Sequence, residues 1–230
     1  GYHDLVNVFH AVGIYDDVTA SANRGGISLT VSGESAELVP TDDSNLAVRA
    51  AEAVDALVYF RPRTPAAAPA PVEATRTTRR KQFVPRVLAV TAGSTVRFPN
   101  EDPILHNVFS TSPDNSFDAG QYHTGPGVSH TFAHAGLVKV YCNVHHSMFG
   151  YILVLDTPHY ARPDATGRFE LRDLPDGEGE LVVFHDRAQP WRQRVLPSMT
   201  PELAVRLDLD KRKVPAHNNK FGKPYRRAAN

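Results

Sequence analysis

The sequence predicts a mostly β protein made of two small sandwiches, and three observations carry that expectation. Turn residues and short β-branched runs dominate the 230 residues. Beyond the N-terminus, no long segment repeats apolar residues at a 3.6-residue period. The strand rhythm also changes twice, at a Pro/Ala-rich stretch after residue 60 and again past Asp156. With 41% hydrophobic residues the chain holds enough apolar material for one large core or two small ones.

Residues 1–26 read as an N-terminal arm, in which Leu5, Val8, Phe9 and Val12 have the spacing of a short amphipathic helix. Residues 27–31 and 53–60 read as strands. Residues 61–75, beginning Arg-Pro-Arg-Thr-Pro-Ala-Ala-Ala-Pro-Ala-Pro-Val, favour an extended polyproline-like linker or surface loop, and 75–81 is polar and basic. From Phe83 the pattern tightens. Residues 87–90 and 95–98, joined by Thr91-Ala92-Gly93-Ser94, read as a β-hairpin. Two further strands are expected at 128–132 and 137–142. In the second, Val138, Val140 and Cys142 alternate onto one face against Lys139 and Tyr141, which aims Cys142 at the core. The run 151–155 is apolar enough to be covered on both faces. Beyond it, turns at 164–167 and 174–177 separate strands at 168–171 and 180–184, and 203–209 alternates again. Residues 27–60 and 157–210 are therefore expected to pair as one discontinuous sandwich, interrupted by a second domain at 76–156. Residues 211–230 form a basic tail, either an ordered cover or a docking arm.

Net charge is zero but unevenly spread. Residues 61–97 carry eight basic and one acidic side chain, and 211–230 carry seven basic and none. These cations lie in a Pro-rich stretch and a tail rather than on a folded face interleaved with aromatics, which argues against nucleic acid as a partner. No run of 18 apolar residues and no charged apolar leader occurs, so neither a membrane span nor an uncleaved signal peptide is expected. The single cysteine, Cys142, excludes an intrachain disulfide and leaves a buried thiol, a nucleophile or one soft metal ligand.

Tyr141-Cys142-Asn143-Val144-His145-His146-Ser147-Met148 places a thiolate, an imidazole and a thioether at i, i+3 and i+6 on one short loop between apolar strands. A thiolate with a thioether selects copper, and two imidazoles plus one thiolate with a weak axial Met make a blue-copper electron-transfer site. The missing imidazole must come from elsewhere, and His106, after Phe98-Pro99-Asn100-Glu101-Asp102-Pro103, is well placed. His146 could replace His145 by a one-residue slip. His123, His130 and His134 could form a second metal site or a solvated strand surface.

Residues 76–156 resemble a cupredoxin of the plastocyanin and amicyanin group, through FVPRVLAVTAGSTVRFPNEDPILHNVF and GLVKVYCNVHHSMFGYILV. The resemblance implies a Greek-key β-sandwich holding one type 1 copper ion on His106, Cys142, His145 and Met148. It also implies that Asn107 ties the two ligand loops together and shields the sulfur. Residues 164–184 resemble a carboxypeptidase regulatory-like, or transthyretin-like, β-sandwich. The combination resembles periplasmic methylamine-utilisation-type cupredoxins. The implied role is an exported electron carrier rather than an enzyme, meeting redox partners transiently at an uncharged patch around His145 with His146, Phe149 and Phe117 as contributors. No Asp, Glu, Lys or Arg occurs from Val140 to Leu155. Copper storage or delivery is the alternative role. A copper enzyme would carry His beside the Cys ligand, whereas Cys142 is flanked by Tyr141 and Asn143.

Overall fold

The computed structural model describes residues 2–10, 16–23, 26–33, 55–64, 68–164, 167–200, 203–210 and 214–225, the first three as backbone alone. The chain divides into two compact units, one of Gly1–Thr64 with His159–Lys211 and one of Pro65–Pro158 with Arg212–Asn230.

In the first unit, β4 (Leu57–Pro62) pairs antiparallel with β15 (Tyr160–Ala161) and β17 (Gly179–Phe184), and β17 pairs with β18 (Trp191–Val195). A second sheet joins β16 (Arg168–Pro175), β1 (Tyr2–His10) and β19 (Val205–Arg206) in that order. Val58, Phe60, Phe169, Leu171, Leu181, Val183 and Val195 meet in its core. The short helix expected from Leu5, Val8 and Phe9 is instead strand β1, which pairs Leu5 with Leu171 and Asn7 with Phe169. Val6 and Val8 are β-branched, and an available sheet partner overrides a weak helical spacing. Val12 lies outside the described residues. The expected strand at 27–31 is β3 (Gly26–Gly33), which pairs with β2 (Asp16–Asn23) and, among the described residues, with no strand of 157–210.

The second unit is a two-sheet sandwich. One sheet runs β11 (Phe117–Tyr122), β10 (His106–Ser110), β13 (Gly136–Tyr141), β14 (Phe149–Leu155), β8 (Val87–Thr91). The other runs β12 (Gly125–Phe132), β9 (Ser94–Asn100), β6 (Thr77–Arg79), β7 (Gln82–Val84), with β5 (Glu73–Thr75) also on β9. Period-two burial is clean along β9, where Ser94, Val96, Phe98 and Asn100 point inward. β14 is buried along its whole length, as its apolar run predicts. The hairpin expected at 87–98 does not form. β8 pairs parallel with β14, while β9 pairs antiparallel with β12, so Thr91-Ala92-Gly93-Ser94 carries the chain from one sheet to the other. The Ala92 amide bonds Leu155 O and the Gly93 amide bonds Phe132 O, which anchors that corner to both sheets.

Arg76 is fully buried, donating to the carbonyls of Tyr151 and Arg86, with its guanidinium over Phe83. Gly150 leaves it room: a Cβ there would stand 1.7 Å from Arg76 Nη2.

Candidate metal centre

Two distant stretches supply the centre. β10 opens with His106, and its Phe109 pairs with Tyr141 at the end of β13, so the first histidine stands beside the cysteine that follows that strand. The loop from Cys142 to Met148 is closed by its own backbone: the Cys142 amide donates to Met148 O at 3.1 Å and the Met148 amide to His145 O at 2.9 Å. This closure brings the side chain three residues after the cysteine back over the sulfur. Cys142 Sγ lies 3.8 Å from His106 Nδ1 and 3.8 Å from His145 Nδ1. All three donor atoms lie within 4.8 Å of one another. Donors bound to one ion at about 2.0–2.3 Å, separated by tetrahedral to trigonal angles, stand roughly 3.5–4 Å apart. The three atoms therefore fit a single metal ion. His106 and Cys142 are fully buried, His145 is partly exposed, and Met148 is buried in the same core cluster as Cys142.

The protonation pattern follows from the neighbours. His106 Nε2 faces the Asp102 carboxylate at 2.9 Å, which places the proton on Nε2 and leaves Nδ1 free for an ion. Asp102 is itself fixed, accepting the amides of Arg80 at 2.6 Å and Lys81 at 2.8 Å and donating its own amide to Asn100 Oδ1. Burial pushes the Asp102 carboxyl up, but those two amides and His106 outweigh it and hold it below the ordinary carboxylate value. Burial, followed by the neighbouring His106 and Lys81, lowers His145, which favours the neutral imidazole that a metal requires.

Asp102 escaped the sequence reading. A carboxylate four residues before a histidine, in a Pro-bounded loop, carries no periodic signal, and the Asn100-to-Asp102 turn that aims it is the only local hint.

Asn107 joins the two loops through its Oδ1, which accepts the Asn143 amide at 3.3 Å. Its Nδ2 donates to Asp118 Oδ1 and Gly120 O. The proposed docking residues are scattered. Phe149 is 5% exposed beneath Arg86. Phe117 stands at the opposite end of β10–β11 from His106, stacked on His130 with centroids 4.1 Å apart. His146 is exposed but lies against the Tyr225 ring at 3.6 Å. Among the described residues, His123, His130 and His134 gather no set of converging donors.

The C-terminal segment packs on this same unit. His217 stacks on Tyr141 with centroids 3.9 Å apart, and Tyr141 is buried. The Lys220 amide donates to Asn143 Oδ1 at 3.1 Å, and its ammonium pairs with Asp118 at 2.7 Å. Of the two sequence expectations for the tail, the ordered cover describes residues 214–225.

Fold and site together define a β protein with a His-Cys-His metal-binding centre, buried at His106 and Cys142 and partly exposed at His145. No protein-family model matches the chain. It is similar to the 4-diphosphocytidyl-2-C-methyl-D-erythritol kinase of Streptomyces coelicolor, 54% identical over 56 residues, covering 24% of this chain and 19% of that protein. The kinase of the same name from Thermobifida fusca is 55% identical over 58 residues, 22% of this chain and 19% of that protein. The chain thus spans about a fifth of the length of the curated relatives it matches. Among solved structures, it is similar to a purple cupredoxin from Nitrosopumilus maritimus, 24% identical over 36% of this chain and 99% of that chain, with a TM-score of 0.33. It is also similar to amicyanin from Paracoccus versutus, 19% identical over 42% and 98%, TM-score 0.34. A Cu-containing nitrite reductase from Thermus scotoductus is 26% identical over 42% of this chain and 26% of that chain, TM-score 0.36. No helix among the described residues is long and apolar enough to cross a membrane.

Proposed function

We propose that this chain is a periplasmic or otherwise exported electron carrier with one type 1 copper ion held by His106, Cys142, His145 and Met148. The observation that carries the reading is the convergence of Cys142 Sγ and two imidazole Nδ1 atoms, from stretches 36 residues apart, at 3.8 Å contacts. A thiolate with two imidazoles is a copper donor set, and a bound copper ion would cycle between Cu(I) and Cu(II). The residues supply the rest. The closed 142–148 loop and the pair His106–Asp102 hold the donors in place, so a change of one electron requires little rearrangement. Cys142 has Tyr141 and Asn143 as chain neighbours, which leaves no adjacent imidazole to lead electrons to a second metal and favours a carrier over an oxidoreductase. Residues 27–60 with 157–210 serve in this reading as a transthyretin-like companion to the copper unit.

Adding Cu(II) to the whole chain is expected to produce an intense visible charge-transfer band with reversible voltammetry. Cys142→Ser and His106→Ala should each abolish the band while circular dichroism stays unchanged. A wild type that remains colourless would sink the proposal, and a colourless protein that binds Cu(I) alone would point to storage or delivery.

A further inference from the structure

The two basic blocks of the sequence, far apart along the chain, both reach the metal loop. Arg79, Arg80 and Lys81 are exposed, and among the described residues no ion pair engages their side chains. Their backbone is rigidly set, because the Arg80 and Lys81 amides bond the Asp102 carboxylate that touches His106. Arg80, Lys81 and Arg86 line a cleft together with Ser147, Met148 and Val214, and among the described residues no carboxylate contributes to its lining. From the tail, exposed Lys223 belongs to the turn that fixes the Lys220 amide on Asn143. Glu101, whose amide bonds Thr78, is the exposed carboxylate adjoining the run, and Asp118 is taken by Lys220. The uncharged loop 143–147 meets the tail at Asn143 and the basic cleft at Ser147; on it Val144 is 39% exposed, and Phe221, next to Lys220 in the tail, is 71% exposed.

We infer that this face is the docking surface for an acidic redox protein, whose carboxylates meet Arg79, Arg80, Lys81 and Lys223 around apolar contact with Val144 and Phe221. The cations are spread over two segments that both adjoin the uncharged loop, a layout that suits a protein face rather than a single small anion. An apolar centre with a charged rim gives brief, steered encounters, as electron exchange needs. One electron passes from donor to acceptor at each encounter, and no bond or proton moves. The inference rests on the carrier reading.

The test uses the whole chain and two probes. Hexacyanochromate(III), a redox-inert paramagnetic trianion, is expected to broaden the NMR amide signals of residues 79–82, 144, 147–149, 214 and 221–223 in the copper-free protein. Arg79→Glu/Arg80→Glu/Lys81→Glu should remove most of that broadening, and Lys223→Glu, which leaves the Asp102 contacts alone, should reduce it. In the copper-loaded protein first reduced to Cu(I), oxidation by hexacyanoferrate(III) should slow roughly tenfold from low to 200 mM salt, and by a similar factor in the triple variant. Oxidation by the cation tris(phenanthroline)cobalt(III) should not slow. Broadening centred elsewhere, or rates indifferent to salt and to these variants while the visible band is intact, would overturn the docking surface. A chain that takes up no copper yet broadens at the named amides would retract the carrier reading, and a redox partner with it.

Discussion

Asp102 gives His106 a negatively charged partner at Nε2, the ring nitrogen other than the one that would hold a metal. A carboxylate that accepts Nε2–H makes the imidazole a more electron-rich donor and places anionic charge near the ion, both of which favour the more highly charged metal state. Asp102→Asn keeps the shape and removes the charge. Its midpoint potential by voltammetry is expected to rise on the order of 60 mV, a tenfold shift in the Cu(II):Cu(I) ratio. An unchanged potential in a variant that still binds copper would reduce Asp102 to a packing residue. At this scale the sequence was most legible where the chemistry is local: Cys142, His145 and Met148 share one loop, and their spacing alone names a donor set. His106 required a guess at strand pairing, which β10 against β13 supports. Phe149 lies buried beneath Arg86 and Phe117 stands at the other end of β10–β11 from His106, placements that adjacency in sequence does not carry.

The tail is the element whose behaviour the sequence left open, and its attachment has a pH signature. Burial raises the Asp118 carboxyl, but the Lys220 ammonium, the Asn107 amide and the Gly120 N–H outweigh it and leave it below the ordinary value. A depressed carboxylate contributes fully above the unfolded value of about 3.9 and loses its contribution as pH falls through the lower folded value. Protection of the Lys220 amide from hydrogen exchange should therefore be constant from about pH 5 to 7 and collapse below about 3.9. In Asp118→Asn it should be low at every pH. Protection indifferent to that substitution would detach the tail from Asp118. The strands show a similar division. Their alternation revealed where β8 and β9 lie, but not that they belong to different sheets, because a four-residue Gly-containing link serves a hairpin and a sheet-to-sheet corner equally well. In β1 a helical spacing and two β-branched residues competed, and the partner strand decided between them.

Across the whole molecule, two separate cores divide the energetics. Phe169 belongs to one cluster, and Phe98, Phe132 and Cys142 to the other. Phe169→Ala is expected to cost about 3–5 kcal/mol within its own unit while leaving the visible copper band unmoved. Loss of the band in that variant would mean that the cores are energetically joined. The change of rhythm at residue 61 and past Asp156 was readable because turn spacing and proline content are properties of sequence. The destination of the tail was not, because a basic segment carries no mark of the surface it will cover.

Where the chain leaves and rejoins the first unit has its own consequence. Tyr59 is paired with Tyr160, and the Phe60 amide donates to His159 O at 2.9 Å, so the strand that leads out and the segment that returns are hydrogen-bonded neighbours. A host sheet closed in this way asks little of whatever is spliced between its two ends. A short turn could bridge the same gap, and the intervening body could be lost, lengthened or exchanged over evolutionary time with the host fold left whole.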